Sequence, residues 1–486
     1  MRGAEPYQSD EVQNASYEVA SSHLKPAHPS KSSQTKALEN LTTLYHTFEE
    51  STTVRKAPAD GSLKTLVTFD ECKAAPVHRW YTFKEGYSHR LLGHLQQQGI
   101  IPKKKLLKLL DPFSGVATTL LSSQSLSHAG HFASAIGLER NPALRFIAKA
   151  KLDWHLYRAK KISALLKALK ESKRGRRSSF AVPGLSTFTA TRKSGKRAFE
   201  PSALQDLLFY RTWIEDNCKG LPEYKFFMLA WTAIVEQASN TRKDGRALRL
   251  LEVEEPPSIK SILLAQCELM LEDLRTLSKT GLPITRPTDV VGGDARRLPF
   301  SKDFFTAICY SPPYLNNIDY SEVYKLELWL RRDVNDEQGF YALRQGTLRS
   351  HPSVNFPATA FCEELESTSW IRRLKDALIS SLPNDRYLRM RQALFSGYID
   401  DMLLVLREQF RVAAPGAPII CVVGNSLHGG KSNPTVPVCT DLLIAAAARA
   451  VGLELDHLQI ARQLPRRDNQ NGWLRETIIV MRKPKR

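Results

Sequence analysis

The run Asp111-Pro112-Phe113-Ser114-Gly115-Val116-Ala117-Thr118-Thr119 stands where the pattern of the chain changes. The apolar-rich residues 105–110 before it read as a strand, and residues 115–130 after it read as a helix. Between them lies a turn of small residues. Such a turn lets a ligand approach the backbone, and the helix behind it presents free N–H groups. Further on, residues 134–139 read as a second strand that ends on Glu139, and Asn141 opens a helical stretch that runs to about Lys173. This β-α-β-α order predicts a parallel sheet. The pattern resumes at Asp289-Val-Val-Gly-Gly-Asp294, with a strand over 304–310, a long helix over 385–412, a strand over 418–423, a helix over 439–452 and closing strands over 453–463 and 474–482. The fold class expected is α/β, a doubly wound sheet with Rossmann-like topology.

The intervening region has another character. Residues 151–200 carry fourteen Lys and Arg against three acids, an excess of +11 within a whole-chain charge of +19. Helical segments near 202–217, 224–239 and 258–279 follow. The chain therefore divides into a polar leader at 1–62, expected to be mostly disordered apart from a short helix near Leu38–Phe48, a first core part at 63–150, a helical basic insertion at 151–285 and a second core part at 286–486. A charge of +19 points to a polyanion, with nucleic acid ahead of an acidic membrane surface. Apolar residues make up 42% of the chain, enough for a sizeable core. No apolar run is long enough for a transmembrane helix. Seven Cys without a Cys-x-x-Cys pair argue against a disulfide framework or a zinc ribbon, and a cytoplasmic location is expected.

Four elements carry chemistry. The first is the 111–119 turn, which also reads as a plain strand–helix joint. The second is Glu139, a carboxylate placed to accept from a ribose diol or else a solvated loop acid. The third is Gly293-Asp294-Ala295, whose acid suits an adenine amino group or simply ends a turn. The fourth is Ser311-Pro312-Pro313-Tyr314, directly after the strand at 304–310. Two prolines fix the backbone beyond the strand end. The Ser311 hydroxyl and Pro312 carbonyl then accept from an exocyclic amino group, and Tyr314 supplies a face for an extruded base.

Together these elements resemble the S-adenosylmethionine-dependent DNA amino-methyltransferases. Asp111–Thr119 is similar to the cofactor loop Asp-Pro-Phe-x-Gly-x-Gly-Thr-Thr, with Ala117 in place of the second glycine, and Ser311–Tyr314 is similar to the catalytic tetrad. The stretch 81–87 matches the position of a segment at the methionine end of the cofactor, and Gly424-Asn425-Ser426 that of a motif lining the target-base pocket. The resemblance covers about 63–150 and 286–486. It implies S-adenosylmethionine bound by Phe83, Lys84, Asp111, Phe113, Ser114, Gly115, Thr118, Glu139, Asp294 and Ala295. It implies catalysis at Ser311, Pro312, Pro313 and Tyr314, and contacts from Asp319, Tyr320 and Asn425 to the target base. No metal is required. The methyl group would pass by direct displacement to the amino group of a flipped base, in a restriction–modification or phage-defence setting with its own partners.

Serine at the head of the tetrad favours N4 of cytosine over N6 of adenine in this family. An RNA base methyltransferase and a non-catalytic nucleic-acid binder on a degenerate fold stay open. Only 16 residues separate Asp294 from Ser311, so DNA recognition falls to 151–285, through its basic segment 151–200, or to about 330–384. Tyr324, Leu328 and Trp329 read as core, and residues 465–472 as a turn before the last strand.

Overall fold

The computed structural model describes residues 31–103, 107–127, 132–173, 197–244, 247–251, 257–279, 287–315, 318–352, 354–356, 370–430, 433–464 and 472–485. Its strands are β1 Val54–Arg55, β2 Leu107–Asp111, β3 Phe132–Leu138, β4 Thr241–Asp244, β5 Ala247–Leu250, β6 Thr288–Val291, β7 Ala307–Tyr310, β8 Pro418–Gly424, β9 Ser426–Gly430, β10 Asn433–Val438, β11 Glu454–Gln463 and β12 Arg475–Arg482. Eight of them make one sheet in the order β1-β11-β12-β8-β7-β2-β3-β6, while β4–β5 and β9–β10 are hairpins. Within the large sheet β12 alone runs against its neighbours. This is the doubly wound α/β architecture expected from the strand–helix alternation.

The sheet is buried on both sides, as its continuous apolar strands require. In β8, Ile420 and Val422 enter one core and Ile419, Cys421 and Val423 the other, the period of two that a pleated strand imposes. The chain winds from β2 through β3 to β6 at one edge, then returns to β7 on the other side of β2. This reversal opens a crevice at the C-terminal ends of β2 and β7, where ligands of such sheets bind. Asp111 ends β2 and Ser311 follows β7, so the two motifs become neighbours.

The region between β3 and β6 builds a layer of helices, Ala159–Glu171, Pro201–Cys218, Glu223–Ala233 and Ile259–Ser278, with the β4–β5 hairpin. Its interior is aromatic. Phe226 packs edge-on against Phe227, Trp80 and Tyr157. Asp273, on the last of these helices, fastens the layer to the core. It accepts from the Val77 backbone at 3.0 Å, from Trp80 Nε1 at 2.9 Å and from Arg79 at 2.6 Å. Val77 holds φ at 63°, costly for a β-branched residue, and its bond to Asp273 helps to offset that strain.

One expectation needs correction. Within residues 31–62 the leader is part of the fold, and the short helix expected near Leu38–Phe48 is present as part of a longer one. Lys31–Glu50 is a helix and β1 joins the sheet edge beside β11. Leu41, Tyr45 and Phe48, spaced four and three apart, are fully buried, with Phe48 edge-on to Trp370 and Tyr45 against Trp473. Residues 1–30 lie outside the described residues. The basic block is divided between buried and exposed positions. Lys151 is buried and donates to the His78 carbonyl at 3.1 Å, Arg158 pairs with Glu223 and Lys170 with Glu268. Lys160, Lys161 and Lys167 remain exposed on a helix whose other face buries Ile162, Leu166 and Leu169. Residues 174–196 of that block, and 465–471 of the expected turn, lie outside the described residues. In segment 330–384, Glu337–Gln345 and Trp370–Ser381 are helices. No described helix is long and apolar enough to cross a membrane.

Candidate functional site

The crevice between β2 and β7 is a cleft of about 1080 Å³, its open mouth included. Its walls bring together Phe83, Asp111, Phe113, Ser114, Gly115, Thr118, Glu139, Asp294, Ala295, Ser311, Pro312, Pro313 and Tyr320, all singled out from the sequence. Asp111 forms the floor. Its carboxylate accepts from the Phe113 N–H at 3.0 Å and from the Thr119 hydroxyl, which also bonds Tyr87. Burial raises its pKa to about 7.

The turn after Asp111 carries two residues in left-handed geometry. Gly115 has φ 49°, and a Cβ there would lie 3.0 Å from the Phe83 ring. Ala117 has φ 68°, a conformation glycine adopts more readily. The Ala117 methyl is fully buried in the core and forms no part of the cleft wall, so the departure from the family pattern leaves the ligand space open. Gly137 lets the loop close on β3, since a Cβ there would strike Ser114 at 2.7 Å.

Glu139 spans the end of β3. One oxygen accepts from the Gly115 N–H at 2.9 Å and the other from the Asn141 N–H at 2.7 Å. Burial raises this carboxyl also to about 7. Asn141 caps the next helix through its side-chain oxygen. Its Nδ2 is buried at the cleft wall with no partner among the described residues, a donor that a bound ribose or adenine would satisfy. Glycine and acid, a diol-accepting carboxylate and an orphaned donor therefore fit a nucleoside cofactor. Asp294, farther along, is burdened by burial but held below the usual carboxylate range by Arg296, bonded at 2.7 Å, and by Arg140 at 3.1 Å. Any adenine amino group would share that carboxylate with the two arginines.

On the β7 side, Ser311 donates its hydroxyl to the Val422 carbonyl at 2.9 Å and lies 3.4 Å from the Tyr314 hydroxyl, and its oxygen keeps acceptor capacity for an incoming amino group. Pro313 is fixed by Tyr398, whose hydroxyl donates to its carbonyl at 3.0 Å. The Tyr314 ring lies against Gly424, where a Cβ would approach it to 2.9 Å, and is half-buried next to the cleft-lining Pro313 without itself forming part of that wall.

Besides Tyr314, three expected residues lie off the cleft wall. Lys84 donates to the Lys243 carbonyl at 3.0 Å, outside the cleft wall. Asp319 is buried, caps the helix Tyr320–Val323 and binds Arg344 at 2.7 Å. Asn425 is consumed internally: its amide donates to Asp441 at 2.8 Å and to the Trp473 carbonyl at 2.9 Å, and its oxygen accepts from the Asp441 N–H. Tyr324, Leu328 and Trp329 are core, as expected. Sequence reading missed Glu85, Asn141 and the loop at 346–351, which line the same cleft. Asn141 had a visible signal, a helix cap followed by Pro142. The loop at 346–351 had none, because the Arg296 bond to the Gly346 carbonyl and the Arg349 pair with Asp401 join distant residues.

Comparison with known proteins agrees with this geometry. The chain is 23% identical over 489 aligned residues to the type II methyltransferase M.BsoBI of Geobacillus stearothermophilus, covering 87% of this chain and 88% of that one. It is 24% identical over 455 residues to the type II methyltransferase M.AvaI of Nostoc sp., covering 87% and 89%. No family model matches the chain. Solved structures include a SAM-dependent methyltransferase from Methanosarcina mazei, at TM-score 0.26 and 9% identity over 79% of this chain and 95% of that one. They also include the rRNA methyltransferase aviRa from Streptomyces viridochromogenes, at 0.27 and 10% over 85% and 92%. Scores so low add nothing to the strand order, which assigns the fold by itself. Over 87% of its length the chain is similar to these type II methyltransferases.

Proposed function

We propose that the protein methylates an exocyclic amino group in DNA, with S-adenosylmethionine as methyl donor and N4 of cytosine as the favoured target. The single observation that carries this is the shared cleft: the Ser311-Pro312-Pro313 corner and the Asp111–Thr119 loop are walls of one crevice. When bound, the cofactor supplies an electrophilic sulfonium methyl. Glu139 and Asn141 would hold its ribose, Phe83 and Gly115 would border its methionine end, and Ala295 and Asp294 would border its adenine. Ser311 Oγ and the Pro312 carbonyl accept the N–H groups of the target amine and so orient its lone pair. Positioning of this kind, with carbonyl dipoles beside a nitrogen that gains positive charge, is the chain's own contribution to rate.

A base in a duplex does not reach such a cleft, so the reading includes base flipping, with Tyr314 as the stacking surface. Serine rather than a carboxylate at position 311 supports cytosine over adenine by analogy with the resembled family. The location of recognition in the insertion rests on its exposed Lys160, Lys161 and Lys167. A restriction or defence partner belongs to the same reading only through the family that the motifs resemble.

Nucleoside mass spectrometry of DNA from cells expressing the protein tests the reading. N4-methylcytosine is expected; N6-methyladenine would move the target, and neither product would overturn the proposal. Tyr314→Ala is expected to lose turnover on the order of a hundredfold while keeping donor affinity, since the ring forms no part of the cleft wall.

A further inference from the structure

Lys243 lies on β4, within the insertion, and is buried behind Tyr81 and Tyr324, off the cleft wall itself. It pairs with Glu327 and, at 3.8 Å, with the part-exposed Glu236, lies 3.0 Å from the Tyr81 hydroxyl and sits 4.3 Å from the centre of the Tyr324 ring. Glu327 is also buried. One of its oxygens takes both Lys243 and the Tyr81 hydroxyl, at 2.7 Å from the latter, and the other has no partner among the described residues. Tyr324 continues the chain of contacts. Its ring stacks on Phe83, centroids 5.6 Å apart at 24°, and its hydroxyl donates to Glu85 at 2.6 Å. Phe83 and Glu85 are walls of the cleft, and Phe83 covers Gly115. A second tie runs in parallel, from Lys84 Nζ to the Lys243 carbonyl.

A cation over an aromatic face is attracted to its ring electrons, more strongly when water is excluded. Here that attraction, together with the ion pair to Glu327, fixes Tyr324. Tyr324 in turn holds the Phe83 ring and orients the Glu85 carboxylate. We infer that Lys243 is a positioning residue for the donor subsite, by which the insertion sets the affinity for the methionine end of S-adenosylmethionine, with Glu85 facing the amino-acid ammonium. The inference rests on the methyltransferase reading above. It adds a residue outside both motifs, and it gives the insertion a task besides DNA contact.

Replacing Lys243 alone would strand the Glu327 charge, so the informative variant is K243M combined with E327Q, which removes both buried charges, leaves only the part-exposed Glu236, still bonded to the backbone N–H of position 243, and keeps an acceptor for Tyr81. Titration with S-adenosylmethionine by calorimetry, thermal melting and steady-state methylation of DNA are measured side by side. The double variant is expected to melt cooperatively and to weaken donor binding on the order of tenfold, with the loss falling on the donor KM rather than on kcat. Y324F, which keeps the ring stack and removes the Glu85 bond, is expected to weaken binding less, and its effect is not expected to add in full to that of the double variant. Unchanged donor affinity in both variants, or fully additive effects, would overturn the inference. Failure of the wild-type chain to bind S-adenosylmethionine would overturn the methyltransferase reading itself, a separate result.

Discussion

Two carboxyls, Asp111 and Glu139, are pushed up to about 7 by burial in the same cleft, and each has a distinct consequence for pH. In the unfolded chain both ionise near 4, so between about pH 4 and 7 the folded protein without ligand holds more protons than the unfolded one. Stability from these groups therefore falls as pH rises through that window and levels off above 7. Donor binding runs the other way. An ionised Glu139 offers both oxygens to a ribose diol, and a protonated one loses an acceptor. Affinity for S-adenosylmethionine is expected to be flat above pH 7 and to fall below it by up to about tenfold per unit. Calorimetric titrations at several pH values check this, and Glu139→Gln is expected to bind weakly with a flatter profile. The residue scale also shows what a sequence hides. Glu139 and Ser311 could be placed because each follows directly on its own strand. Asn425 could not, because the partners that consume it, Asp441 and Trp473, are 16 and 48 residues away.

Elements were legible where periodicity and burial agree. β2, β3, β7 and β8 are apolar runs closed by an acid, a serine or a glycine, and their order in the sheet follows from β-α-β winding. Of the helix Lys31–Glu50 only the Leu38–Phe48 part was legible, because Leu41, Tyr45 and Phe48 mark its buried stripe and the preceding turns are polar. The hairpin β9–β10 was obscured because both strands are short and interrupted by glycine and proline. How the insertion docks was invisible as well, since the decisive contact is a lone acid. Asp273 is buried and satisfies a backbone N–H, an indole and a guanidinium from the segment 77–80. Asp273→Ala would leave the indole and amide donors unpaired and Val77 strained, at a cost of about 3 kcal/mol. A drop of several degrees in melting temperature is expected, with hydrogen exchange fastest in residues 77–80 and the helix Ile259–Ser278; a variant that melts like wild type would show that the helix docks by apolar packing alone.

For the whole molecule, charge and topology act at different ranges. The net charge of +19 draws a polyanion from a distance, and the exposed Lys160, Lys161 and Lys167 lie on the helical layer rather than in the cleft. DNA affinity is expected to fall steeply with salt, and changing these three lysines to Gln is expected to lower the slope of log affinity against log salt by up to about three. Fluorescence anisotropy with labelled duplex at several salt concentrations measures it, and an unchanged slope would place the phosphate contacts elsewhere. Topology has a slower effect. β1 pairs with β11, and the Lys31–Glu50 helix rests on Trp370 and Trp473. On the ribosome, these early residues emerge with nothing yet to dock against, and some four hundred residues must follow before their partner strand exists. Tyr45, Phe48 and their neighbours are therefore greasy passengers throughout translation, the part of the nascent chain with most use for a chaperone.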